Sequence, residues 1–154
     1  MPLKKLNILL ADDDMDDRMF FEKALSELSV AYHLTVVNDG EELMKYLAEN
    51  SETLPLLLFL DINMPRKNGI QCLAEIRGDE KLKGLPVVMF STSNSWETID
   101  RLFKSGANVY IHKPSDFSQL KQIIHHAIPL AAEKIFSSNP LKYILNAGGG
   151  AGQK

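Results

Sequence analysis

The sequence has a single cysteine, Cys72, in 154 residues. An internal disulfide is therefore excluded, which suits a reducing compartment and sets a cytoplasmic expectation. It also lacks any apolar run long enough to cross a bilayer, so no membrane partner is expected. Met1-Pro2-Leu3-Lys4-Lys5 leads directly into a strand-like run and does not read as a secretory leader. Neither charge dominates: 17 Lys and Arg stand against 20 Asp and Glu, a net of -3. With no Lys/Arg stripe, a nucleic-acid partner is not expected. No internal repeat is visible. The four histidines, His33, His112, His125 and His126, lack metal-ligand spacing and read as surface or partly packed residues.

The composition that is present, 45% apolar and 24% charged, suffices for one ordinary hydrophobic core. The central stretch is Leu56-Leu57-Leu58-Phe59-Leu60-Asp61. An unbroken short apolar run predicts a strand buried on both faces, as in a parallel sheet. Similar runs occur at Leu6–Ala11, Tyr32–Val37, Val87–Phe90 and Val109–His112. Between them lie segments with apolar residues three and four apart. These predict helices carrying Phe20, Phe21, Ala24, Leu25 and Leu28; Leu43, Tyr46 and Leu47; Ile70, Leu73 and Ile76; Ile99, Leu102 and Phe103; and Phe117, Leu120, Ile124, Ala127, Ile128 and Ala131. Cys72 falls within the third helix and reads as a small packed hydrophobe. The alternation predicts an α/β fold: a doubly wound five-stranded parallel sheet with helices on both faces. Spacing alone leaves the strand order open between a Rossmann-like order and 2-1-3-4-5. The pattern decays after about Ile128, with Pro129 and Pro140 as interruptions. This divides the chain into a domain at 1–128 and an extension at 129–154, partly helical and then Gly-rich.

Polar residues collect where the predicted strands end. The first strand delivers Asp12 and Asp13, the third Asp61, the fourth Ser91 and Thr92, and the fifth Lys113. In a parallel sheet these groups meet at one edge, where ligands bind in open α/β sheets. Three carboxylates placed together repel one another and call for a raised pKa or a shared cation. A hard divalent ion suits such oxygen ligands, and Mg²⁺ needs few protein carboxylates because it retains waters. A hydroxyl and a lysine beside that ion are the parts needed to hold a phosphoryl group. Asp61 is then the nucleophile, since a carboxylate can form an acyl phosphate. Singly, each piece has a plainer reading: Asp12 to Asp14 as a helix cap, Asp61 as a turn residue, Ser91 to Ser95 as a capping loop, and Lys113 as a solvated lysine. Their ordered occurrence at four strand ends favours the joint reading.

The sequence resembles the receiver domain of bacterial two-component response regulators. The resemblance rests on Ile8-Leu9-Leu10-Ala11-Asp12-Asp13-Asp14, on Phe59-Leu60-Asp61-Ile62-Asn63-Met64-Pro65 with Asn68-Gly69, on Val87-Val88-Met89-Phe90-Ser91-Thr92, and on Gly106 to Pro114. It covers roughly residues 5 to 128. The stretch from Leu85 to Leu120 looks most like stand-alone receivers that partner phytochrome-type sensor kinases. The resemblance implies the 2-1-3-4-5 order. It implies that Asp61 accepts phosphate from a sensor histidine kinase or phosphotransfer protein. Asp12, Asp13, Asp61 and the backbone carbonyl of Asn63 would hold Mg²⁺, with Mn²⁺ as a substitute. Ser91 would be the switch hydroxyl, Tyr110 the switch aromatic, and Lys113 the partner of the phosphoryl group. Asn63, Thr92 and Lys113 would line its pocket. Tyr110 is expected to turn inward when Asp61 is phosphorylated, changing the face formed by the fourth helix, fifth strand and fifth helix. The Lys113–Pro114 bond is cis in many relatives. Thr92 stands where many relatives have Ala or Gly, and its bulk is expected to restrict the pocket. Asp14 is expected to cap the first helix.

With about 26 residues after 128, the expected output is association, with a target protein or with a second copy, and not catalysis. Two alternatives of the same fold are an aspartyl-phosphate phosphohydrolase and an interaction module that works without phosphorylation. Such hydrolases usually carry a second acid two residues after the nucleophile, where this chain has Asn63. A flavodoxin-like cofactor binder is disfavoured by the acidic strand ends, which repel a flavin phosphate.

Overall fold

The apolar runs form strands and the segments between them form helices, in a computed structural model of the chain. The structure describes residues 5–29, 31–92, 95–114 and 116–132, with two short strands beyond. In chain order the elements are β1 (Leu6–Ala11), α1 (Met15–Ser26), β2 (Tyr32–Val37), α2 (Gly40–Glu49), β3 (Leu57–Asp61) and α3 (Gly69–Gly78). They continue with β4 (Val87–Ser91), α4 (Trp96–Lys104), β5 (Val109–His112), α5 (Phe117–Ala132), β6 (Tyr143–Leu145) and β7 (Ala151–Gln153). The sheet order is β2-β1-β3-β4-β5-β6-β7. Its first five strands are parallel, in the order 2-1-3-4-5.

Side chains alternate along each strand between two packed layers. Ile8, Leu10, Leu57, Phe59 and Val88 face α1 and α5, where Phe21, Leu25, Ile124 and Ala127 cover them. Leu9, Leu58, Leu60, Val87 and Met89 face α2, α3 and α4, which contribute Leu43, Leu47, Leu73, Ile76 and Leu102. All residues of β3 and β4 are buried, as expected for strands covered on both faces. Cys72 packs in the second layer, and burial pushes its thiol up to about 12, so it is chemically quiet.

The helix starts are capped by the polar residues that precede them. Asp14 accepts from the backbone N–H groups of Asp16 and Asp17, Asp39 from Glu42, and Ser95 from Thr98. Asn68 and Gln71 form a reciprocal capping box on α3. At the other end of the sheet, Arg77 ties the connections together. Its guanidinium donates to the carbonyls of Gly106, Lys83 and Leu85 and to Asn108 Oδ1. Asn108 Oδ1 also accepts from the N–H of Val87, which starts β4.

Three features depart from the sequence expectation. The sheet continues past β5: β6 runs parallel to it, with Ile144 opposite Tyr110, and β7 returns antiparallel to β6. Helix α5 runs through Pro129 to Ala132, although Pro129 has no N–H to donate to the carbonyl four residues back. The described peptide bonds are all trans, Lys113–Pro114 included.

Candidate functional site

The reversal in strand order places β1 beside β3, and the chain leaves both at the same edge. Asp12 follows β1 directly, and Asp61 ends β3. Both are buried, at 1% and 5% exposure, whereas Asp13 is exposed. One carboxylate oxygen from each of Asp12, Asp13 and Asp61 lies within 4.8 Å of the other two. The predicted carboxylate cluster therefore forms. Burial is the main reason why Asp12 is pushed up to about 6, opposed by the Asp14 N–H and by Lys113. Burial also raises Asp61, against the pull of Lys113 and the Asn63 N–H. A pair of buried oxygen donors that resist ionisation, joined by a third acid open to solvent, fits a hard divalent cation that keeps water ligands.

Lys113 reaches into this cluster from the end of β5. Its backbone N–H bonds the Ser91 carbonyl at 2.8 Å, so it leaves the sheet at a fixed height. Its ammonium lies 3.4 Å from Asp61 Oδ2, 3.3 Å from Asp12 Oδ2 and 2.7 Å from Asp17 Oδ2. It also sits 5.2 Å from the centroid of the Phe90 ring. Burial alone would lower the lysine pKa. The Asp17 hydrogen bond and the charges of Asp61, Asp12 and Asp17 outweigh it, and the group is held above its usual value. A cleft of about 150 Å³ opens beside this ammonium, between Asp17, Phe20, Phe90 and Pro114.

The loop after β3 is clamped on both sides. The Asn63 N–H donates to Asp61 Oδ1 at 3.4 Å. Arg66 adopts a left-handed φ of 67, and the Lys67 N–H closes a γ-turn onto Pro65 at 2.7 Å. Arg66 Nε donates to the buried Asp39. A side chain at Gly69 would collide with the Asp61 carbonyl oxygen and lie 2.9 Å from the Ile62 Cα, so only glycine lets α3 start this close to the acid.

Ser91 is buried at the end of β4. Its carbonyl accepts from the Lys113 N–H and, at 3.5 Å, from the Tyr110 hydroxyl. Tyr110 was expected to turn inward on phosphorylation, but here its ring is already inside, 1% exposed. Thr92 is exposed, and its carbonyl lies 3.2 Å from His112 Nε2. No described hydrogen bond joins it to Asp61. Asp14 caps α1, as expected.

Sequence reasoning missed Asp17, the nearest partner of Lys113. As an acid in the first helical turn it reads as a complement to the helix dipole. It also missed the Asp39–Arg66 pair, whose members look like a turn residue and a surface cation.

The model of the response regulator receiver domain matches residues 8–125. The chain belongs to this family. It is 29% identical to the response regulator Rcp1 of Synechocystis over 121 residues, 76% of this chain and 82% of that one. Among solved structures it resembles the phosphorylated cyanobacterial phytochrome response regulator RcpA, with a TM-score of 0.76 and 34% identity over 84% of this chain and 95% of that one. It also resembles the Mn²⁺-bound form of Rcp1, with a TM-score of 0.70 and 26% identity over 87% and 96%. The receiver fold expected from the sequence is the one found.

Proposed function

We propose that this receiver accepts a phosphoryl group on Asp61 from a histidine of a sensor kinase or phosphotransfer protein, and signals by association. The observation that carries this reading is a buried carboxylate at a strand end with two further acids and an ammonium around it. In the forward step an Asp61 oxygen attacks phosphorus, the bond from phosphorus to the donor imidazole breaks, and its electron pair leaves with the ring. The product is an acyl phosphate, later cleaved when water attacks phosphorus and Asp61 departs.

Asp12, Asp13, Asp61 and the Asn63 carbonyl would hold Mg²⁺ or Mn²⁺, which would neutralise charge on the phosphoryl oxygens. Lys113 supplies a second cation 3.4 Å from Asp61 Oδ2, and the Asn63 N–H orients the acceptor carboxylate. RcpA in its phosphorylated form and Rcp1 in its Mn²⁺-bound form support both assignments. Asn63 at the position of a hydrolase's second acid supports storage of the phosphoryl group over rapid turnover.

The readout would run through Ser91, whose carbonyl links Lys113 to Tyr110, to the face made by α4, β5 and α5. A target protein or a second copy would read that face. Incubation with acetyl phosphate and Mg²⁺ tests the reading by intact mass. It should add one phosphate, lost when Mg²⁺ is chelated or in Asp61→Asn. Stable labelling of Asp61→Asn would refute it.

A further inference from the structure

Lys113 has three N–H donors and three carboxylates around it. Two of these, Asp12 and Asp61, belong to the cluster with Asp13. The third, Asp17, does not, yet its oxygen is the nearest at 2.7 Å, against 3.3 Å and 3.4 Å for the others. Asp17 sits in the first turn of α1, where its N–H bonds the cap residue Asp14 at 3.1 Å, so its backbone is fixed. We propose that Asp17 is a positioning residue that holds the Lys113 ammonium toward α1 and competes for it with a phosphoryl group on Asp61. The inference rests on the phosphoacceptor reading above.

The competition follows from which carboxylates remain available. With a cation on Asp12 and Asp13, and Asp61 esterified, Asp17 is the one carboxylate of the three around Lys113 whose charge is shared with neither the cation nor the phosphoryl group. The ammonium then divides its hydrogen bonds between a carboxylate on α1 and the phosphoryl oxygens. Loosening the Asp17 contact shifts it toward the phosphoryl group. The cleft of about 150 Å³ beside the pair, lined by Phe20, Phe90 and Pro114, leaves Asp17 reachable from outside. Its side chain is 37% exposed, so the pair is partly screened and its effect is bounded.

Beryllofluoride with Mg²⁺, a stand-in for a carboxylate-bound phosphoryl group, tests this in the full chain. Asp17→Asn keeps the shape of the side chain and removes its charge. Asp16→Asn removes an equal charge one residue away, from an exposed acid with no described contact to Lys113. Asp17→Asn should tighten the apparent affinity about threefold to fivefold, while Asp16→Asn leaves it near wild type. Asp17→Glu, which restores the charge, should return it toward wild type. A merely structural role for Asp17 would weaken binding, and a general charge effect would move both Asn variants equally. Either result overturns the proposal. Failure of the wild-type chain to bind beryllofluoride would instead overturn the phosphoacceptor reading, and this inference with it.

Discussion

Arg66 Nε lies 2.8 Å from Asp39 Oδ2, while the Arg66 backbone is left-handed, with a φ of 67. The ion pair thus holds in place a conformation that non-glycine residues disfavour. Asp39 caps α2 with its other oxygen, so one buried acid joins the start of α2 to the loop after the acceptor strand.

Arg66→Gly relieves the backbone but frees the loop, whereas Arg66→Ala frees the loop and keeps the strain. The glycine variant should melt about 3 °C above the alanine variant. Equal melting temperatures would show that the left-handed turn carries no cost. The Glu42 N–H and the Arg66 side chain hold Asp39 below the usual carboxylate range. Its stabilising effect is therefore present above the unfolded-state value, about 4, and lost as pH falls through the lower folded value. Asp39→Asn should be destabilised at pH 7, with a deficit that narrows below about pH 4. A deficit independent of pH would count against the pair.

Asp12, pushed up to about 6, gives a second pH signature. In the cation-free chain the native state holds a proton that the unfolded chain releases near pH 4. That contribution to stability is full below pH 4 and is lost as pH rises toward 6. A divalent cation must displace the same proton. Mg²⁺ affinity measured by calorimetry should therefore be about tenfold weaker at pH 5 than at pH 7 and level off above. A flat profile across that range would show that cation binding displaces no proton from Asp12.

The five-strand core was legible because apolar runs and turn residues repeat along the chain. So was the gathering of Asp12, Asp61 and Lys113 at one edge, because each follows or ends a strand and parallel strands end together. Asp17 was not legible: its contact with Lys113 joins residues 96 apart, and a first-turn acid already has a local explanation. The strands β6 and β7 were missed because each has three residues, too few to show alternation. Tyr110 was placed correctly on β5, but its ring joins the packed layer that holds Leu102 and Phe103 of α4, which no spacing rule reports.

Arg77 makes a prediction away from the site. Its guanidinium serves three carbonyls and Asn108 at the turn into β4 and β5. Arg77→Met should cost about 2–4 kcal/mol in denaturant unfolding, since partly buried carbonyls lose their donor. Arg77→Lys should recover little, because one ammonium cannot span the fork. Wild-type stability in the lysine variant would refute the role assigned to the planar group.

The measurement closest to the central claim is chemical trapping of the acyl phosphate. After incubation with acetyl phosphate and Mg²⁺, borohydride reduction converts an aspartyl phosphate to homoserine, which peptide mass mapping locates. The account predicts conversion at Asp61 and at none of the other residues among the 20 Asp and Glu. Conversion at Asp12 or Asp13, or at a different acid with Asp61 intact, would contradict it.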